Sequence, residues 1–208
     1  MNSMTKANQS PVILALTGAS GVQYALRLME CLLDAGTPVY LMVSKAAQIV
    51  LSMETELKVP AKSAEMARFF TELYSAEAGQ LSVFGQEQWT APIASGSHRA
   101  MSMVVCPCTT GTLAAIANGN SDNLLERAAD VMLKEKRQLI MVVRETPFSH
   151  IHLENMLRLS QAGATIMPAN PGFYNNPTKL EDIIDFMVAR ILDHLKVGHN
   201  LSPRWGEV

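Results

Sequence analysis

Three short segments and two lone aromatics carry residue types that can grip an anion, move a proton or cover a ligand. Thr17-Gly18-Ala19-Ser20-Gly21 follows an apolar run. Small residues in such a turn either serve the fold alone or let a ligand reach backbone N–H groups at a helix start, where the dipole favours negative charge. Cys106-Pro107-Cys108-Thr109-Thr110-Gly111-Thr112 sets three hydroxyls beside several amides. That pattern makes a phosphate cradle or an ordinary helix N-cap with spare threonines. Arg144-Glu145 follows another apolar run and reads as a surface ion pair of small worth or as a cation opposite the cradle. Trp89 and Tyr174 fall in irregular stretches, where a large aromatic is a lid over a ligand or an interface anchor.

Several familiar chemistries are excluded by what these segments lack. The first turn is not G-x-G-x-x-G, has no P-loop lysine and does not match G-x-S-x-G. The second apolar run ends in Ser44, not in the acid that holds a nicotinamide ribose. A phosphate-bearing mononucleotide therefore suits the chain better than NAD. Cys106 and Cys108 form a single C-x-C with no second pair, so they are expected to pack rather than ligate metal. His150 and His152 point to different faces of a helix, which favours capping or packing. Glu181-Asp182-Ile183-Ile184-Asp185 resembles a Mg²⁺-binding acidic motif. Acids in a first helical turn are expected from the dipole alone, however, and no second acidic motif faces this one.

The elements that must position these residues alternate. Continuous apolar runs at residues 12–17, 39–43, 101–106, 139–143 and 164–167 predict buried strands. Helical patterns are predicted over 22–35, 45–54, 64–74, a region from 113 to 137, 150–162 and 180–195. Residues 55–97 are otherwise irregular. This alternation predicts an α/β fold: a three-layer, Rossmann-like or flavodoxin-like parallel sheet with helices on both faces. The chemical segments all fall after strands, where such sheets bind ligands.

Composition bounds the rest. The 208 residues suit one domain, expected to span 1–208 with a flexible tail at 1–10 and a C-terminal extension at 197–208. Lys+Arg 17 against Asp+Glu 19 gives a formal charge of -2, which argues against nucleic acid or an anionic membrane as partner. Three cysteines without framework spacing, and no apolar leader at the start, predict a reducing, cytoplasmic setting. Thirteen methionines suit irregular cores or subunit interfaces.

Taken in order, TGASG, SKAAQ at 44–48, ASGS at 94–97, CPCTTGT, ERAADVMLKEKR at 126–137, RETPFS at 144–149, HLENM at 152–156, PGFY at 171–174 and PRWGE at 203–207 carry a resemblance. The chain resembles the flavin prenyltransferases of the UbiX type, which attach a dimethylallyl group to reduced FMN. The resemblance runs from about residue 12 to 207. It implies that Gly18, Ala19, Ser20, Ser44, Thr109, Thr110, Gly111, Thr112 and Arg144 hold FMN. It implies that Tyr174 and Arg190 bind the phosphate of dimethylallyl monophosphate, with Lys134 and Glu145 in the same pocket. Glu54 is then the acid/base residue, Ser20 orients near flavin N5, and Trp89 offers a π face to the allyl cation.

The resemblance further implies homo-oligomers, commonly dodecamers, with active sites shared between subunits. No metal is expected, the product is prenylated FMN for a UbiD-type decarboxylase, and the setting is ubiquinone biosynthesis. Two alternatives stand beside this reading. One is a flavin-dependent cysteine decarboxylase of the same superfamily, which carries an Asn-bearing motif where this chain has Pro107-Cys108-Thr109-Thr110. The other is a non-catalytic FMN carrier.

Overall fold

The computed structural model describes residues 10–203 and residue 206. Six strands form one parallel sheet: β1 (Val12–Leu16), β2 (Val39–Val43), β3 (Leu81–Val83), β4 (Ser102–Cys108), β5 (Gln138–Val143) and β6 (Thr165–Ile166). Their spatial order is β3-β2-β1-β4-β5-β6. Among the described residues seven α-helices surround them: α1 (Val22–Asp34), α2 (Lys45–Glu54), α3 (Ser63–Leu73), α4 (Thr110–Ala117), α5 (Leu124–Lys134), α6 (His150–Gln161) and α7 (Leu180–Leu195). Most of the expected tail over 1–10, and Arg204, Trp205 and Glu207 of the last motif, lie outside the described residues.

The alternation of side chains along each strand builds two cores. Val12, Leu14 and Leu16 of β1 face one layer, where α1, α2, α3 and α7 cover them. Ile13 and Ala15 face the other, covered by α4, α5 and α6. Both faces are apolar because both are covered, which is why the strands read as unbroken apolar runs. Helix α1 shows the matching period: Val22, Ala25, Leu28, Met29, Leu32 and Leu33 are all buried. Each large aliphatic side chain so buried contributes about 1.5–3 kcal/mol before conformational entropy is subtracted.

Two departures from the sequence expectation matter. Strand β3 lies within the stretch expected to be irregular. It pairs with β2 through Val39↔Leu81, Tyr40↔Ser82 and Leu41↔Val83, and three residues are too few to show a period. Without β3 the remaining five strands run in flavodoxin order; with it the order is the Rossmann one. The helical region expected from 113 to 137 is two helices, divided at Asn118–Asn123 by a run of turn-forming residues. Asn123 then caps α5 by accepting the Glu126 amide at 3.1 Å.

The acidic motif on α7 is used by the fold. Asp182 accepts from the Thr178 and Lys179 amides ahead of the helix, and Asp185 takes Arg27 of α1 at 2.7 Å. Of the two histidines on α6, His152 agrees with the capping expectation, accepting the Ser149 amide in a reciprocal cap, whereas His150 is exposed and pairs with Glu154.

Candidate active site

Strand order reverses between β1 and β4, and the loops leaving their carboxyl ends lie side by side. Thr17 joins them. Its buried hydroxyl donates to the Pro107 carbonyl at 2.7 Å and accepts the Thr109 amide at 2.8 Å. Nothing in the sequence marks Thr17 as more than the first residue of a turn, yet this contact fixes the two turns relative to each other.

The turn after β1 can be built only with glycine at two places. A Cβ on Gly18 would lie 2.5 Å from the Cβ of Ala46 in α2, a clash that neither backbone can escape cheaply. Gly21 has φ near 100°, the left-handed region that side chains disfavour. Its amide and that of Val22 open α1, and the sequence suggests them as an anion site. The structure fills that site from within. Glu54, the last residue of α2, accepts the Gly21 amide at 2.9 Å and the Val22 amide at 3.2 Å through one oxygen. The two amides that open α1 are thus taken by a side chain of the same chain.

Burial alone pushes the Glu54 carboxyl up. The Ser20 hydroxyl, the two amides and the nearby Arg144 guanidinium together outweigh that and hold it below the ordinary carboxylate range. Arg144 follows β5, and its Nε donates to the Ser20 carbonyl at 3.3 Å. Glu145 instead accepts the Thr146 amide, so the surface pair suggested for Arg144 and Glu145 is not what orients the guanidinium.

The second turn supplies the cradle. Thr109 caps α4 by accepting the Thr112 amide at 3.1 Å, and its hydroxyl also meets that of Thr112 at 3.0 Å. Thr110 and Gly111 open the helix, where amides have no intrahelical acceptor. Ser44 caps α2 through the Ala47 amide at 3.0 Å. The capping and the ligand-binding readings of these hydroxyls are thus compatible: the caps take the Thr112 and Ala47 amides, and the Thr110 and Gly111 amides at the start of α4 remain for an anion. Cys106 and Cys108 are fully buried on opposite faces of the sheet, and burial pushes both thiols well above their ordinary range.

Gly18, Ala19, Ser20, Ser44, Glu54, Thr109, Thr110, Gly111, Thr112 and Arg144 are brought to this one edge of the sheet. Trp89 lies in the loop after β3, about half exposed to solvent. Tyr174 and Arg190 are elsewhere. They line an open cavity of about 770 Å³ between β6 and α7, which contains none of Ser20, Thr110 or Arg144. Tyr174 packs edge-on against Phe186 there, and Arg190 pairs with Asp193 at 2.8 Å. Lys134 ends α5 near the amino edge of β5 and pairs with Glu135. Asp193 is a site residue the sequence reading passes over, although Arg190 and Asp193 stand at the i,i+3 spacing of a helical ion pair.

The sequence profile of the Flavoprotein family matches residues 1–192. The flavin prenyltransferase UbiX of Pseudomonas aeruginosa is 56% identical over 196 residues, covering 94% of each chain. A crystal structure of AnUbiX (PadA1) in complex with FMN and dimethylallyl pyrophosphate superposes with a TM-score of 0.85. It is 37% identical, over 96% of this chain and 98% of that one. A dodecameric FMN-dependent Ubix-like decarboxylase from Escherichia coli O157:H7 gives a TM-score of 0.83 at 38% identity, over 94% of this chain and 98% of that one. Fold, strand-end turns and near-full-length similarity agree, and the chain belongs to the Flavoprotein family, within it to the flavin prenyltransferases of the UbiX type.

Proposed function

We propose that this chain transfers a dimethylallyl group from dimethylallyl monophosphate to N5 and then C6 of reduced FMN, and that the prenylated FMN serves a UbiD-type decarboxylase. The observation that carries the reading is the ionised Glu54 carboxylate at the start of α1. It touches Ser20 and faces Arg144 at the switch point of the sheet. A proton acceptor, a hydroxyl and a cation stand together beside an anion cradle. A pure FMN carrier would use this carboxylate only to hold the Gly21 and Val22 amides, so the turnover of Glu54→Gln separates the two readings.

The residues fit FMN. The first-turn amides of α4 with the Thr110 and Thr112 hydroxyls suit its phosphate, and the tight turn at Gly18–Ser20 lets a flat ring approach the backbone. The flavin supplies the nucleophilic nitrogen and carbon. Ser20 would orient the ligand near N5, and Glu54 with the departing phosphate would relay protons: the one lost at N5, the one added to the prenyl double bond and the one lost as the ring closes at C6. Trp89 offers its ring to the allylic cation, an attraction of about 0.5–1 kcal/mol at an exposed site and more when covered.

The donor phosphate falls to Tyr174, Arg190, Lys134 and Glu145; Glu145 adjoins Arg144, but one chain does not bring Tyr174, Arg190 or Lys134 to Ser20. A second copy must close the site, and the dodecameric relative from E. coli supports such an assembly. Charge-assisted hydrogen bonds from Lys134, Arg144 and Arg190 replace the usual metal on a leaving phosphate. Among the described residues no three His, Cys, Asp or Glu side chains are grouped to hold a metal ion.

The direct test is anaerobic incubation with reduced FMN and dimethylallyl monophosphate or diphosphate, followed by mass spectrometry of the released flavin. A gain of one prenyl unit is expected, at a rate unchanged by excess chelator. Recovery of unmodified FMN with both donors would establish a carrier instead. Loss of turnover with chelator would return Glu181, Asp182 and Asp185 to consideration.

A further inference from the structure

Helix α7 ends where Lys196 takes a left-handed conformation, with φ 58°. The Lys196 amide donates to Asp193 and the Val197 amide to Leu192, so the chain turns back over the last turns of the helix. This brings His199 onto Asp193. The imidazole side chain is only 8% exposed, and its Nε2 lies 3.2 Å from Asp193 Oδ1. Its other nitrogen, Nδ1, accepts the Leu201 amide at 3.4 Å, which leaves the proton on Nε2 and makes that atom the donor. The second oxygen of Asp193 takes Arg190 Nη1 at 2.8 Å. Asp193, Arg190, His199 and Tyr174 all line the same cavity.

We propose that His199 and Asp193 are positioning residues for donor binding: they lock the Arg190 guanidinium so that it meets the donor phosphate with its rotamer already fixed. The proposal rests on the reading of Arg190 as a phosphate ligand given above. An arginine side chain carries large rotamer entropy, which a free surface arginine loses on binding and a clamped one does not. Asp193 holds the guanidinium through Nη1 and leaves the Nε–Nη2 edge for two phosphate oxygens. His199 keeps the carboxylate from swinging away, and ties the segment after α7 to the same contact. Charge neutralisation by Asp193 opposes this effect, so the sign of the measured change decides between clamp and neutraliser.

The measurement is the calorimetric Kd of dimethylallyl monophosphate for the assembled protein with oxidised FMN bound, where no turnover occurs. Asp193→Asn and His199→Ala are each expected to weaken donor binding about tenfold, the scale of one charge-assisted contact. His199→Gln places an amide donor where Nε2 stood and is expected to stay within about twofold of the parent. In an Arg190→Ala background, Asp193→Asn is expected to add nothing, because the clamp then has nothing to hold. FMN affinity, read by flavin fluorescence, should not move in any variant. Unchanged or tighter donor binding in Asp193→Asn, or a full additional loss in the Arg190→Ala background, overturns the proposal. Should Arg190→Ala alone leave the donor Kd unchanged, the assignment of Arg190 to the phosphate fails first and the clamp fails with it.

Discussion

Glu54→Gln is expected to bind FMN as the parent does and to lose turnover by about 10²–10⁴, the usual range for removing a positioned acid or base. The asymmetry follows from the contacts. A glutamine carbonyl can still accept the Gly21 and Val22 amides, so the start of α1 and the turn before it are preserved. It cannot accept a proton at neutral pH. Single-turnover assays with reduced FMN and dimethylallyl monophosphate, set beside flavin fluorescence titrations, separate the two effects. Equal turnover in the variant removes Glu54 from the chemistry.

The same carboxylate gives a pH signature. Its pKa in the folded protein lies below that of the unfolded chain, near 4.3 for a model glutamate. Folding therefore draws stability from the ionised form. That contribution is complete above the unfolded value and is lost as pH falls through the depressed folded value. Urea midpoints of parent and Glu54→Gln should differ by a constant amount from pH 8 to about 5 and converge below about 4. A gap that widened towards acid would mean the carboxyl is raised, not depressed, in the native state.

Mixing two dead enzymes should restore a live one. Glu54→Gln and Arg190→Ala disable different clusters, and the cavity that holds Arg190 contains none of the groups around Glu54. If each active site takes one cluster from each of two copies, random co-assembly of the two variants leaves about a quarter of sites with both clusters intact. Co-expression followed by purification of the mixed oligomer should then recover about a quarter of parent activity. Separately purified variants, left unmixed, should stay inactive. No recovery in verified mixed oligomers would mean that both clusters serve one site from within a single chain.

Much of this fold was legible because its strands are covered on both sides. Helices expected at 22–35, 45–54, 150–162 and 180–195 occur as Val22–Asp34, Lys45–Glu54, His150–Gln161 and Leu180–Leu195. Gly36, Pro38 and the caps at Ser44 and Ser149 punctuate them. Strand β3 was hidden because an edge strand of three residues has neither length nor alternation. The break between α4 and α5 was readable in Asn118-Gly119-Asn120 and the cap at Asn123, but a small-residue helix on one side and an amphipathic one on the other blur into a single pattern.

The flavin turns were legible as small and hydroxyl residues after strands. Their internal contacts were not. Glu54 reaches Gly21 across 33 residues of sequence, and only the packing of α2 against the turn at Gly18 creates that encounter. His199 was equally silent, because its partner lies across a helix terminus whose left-handed residue is a lysine rather than the glycine that usually signals such a stop.

The two cysteines of β4 bear on the durability of the catalyst. A protein that works beside an electrophilic allylic carbon risks alkylating itself at sulfur, and the thiolate is the form that reacts. Cys106 and Cys108 adjoin the cradle in sequence, yet both are sealed in the sheet, and burial keeps both protonated at any physiological pH. The strand that carries the cradle thus offers passing carbocations no sulfur nucleophile, and suicide inactivation at that position is closed off by packing alone.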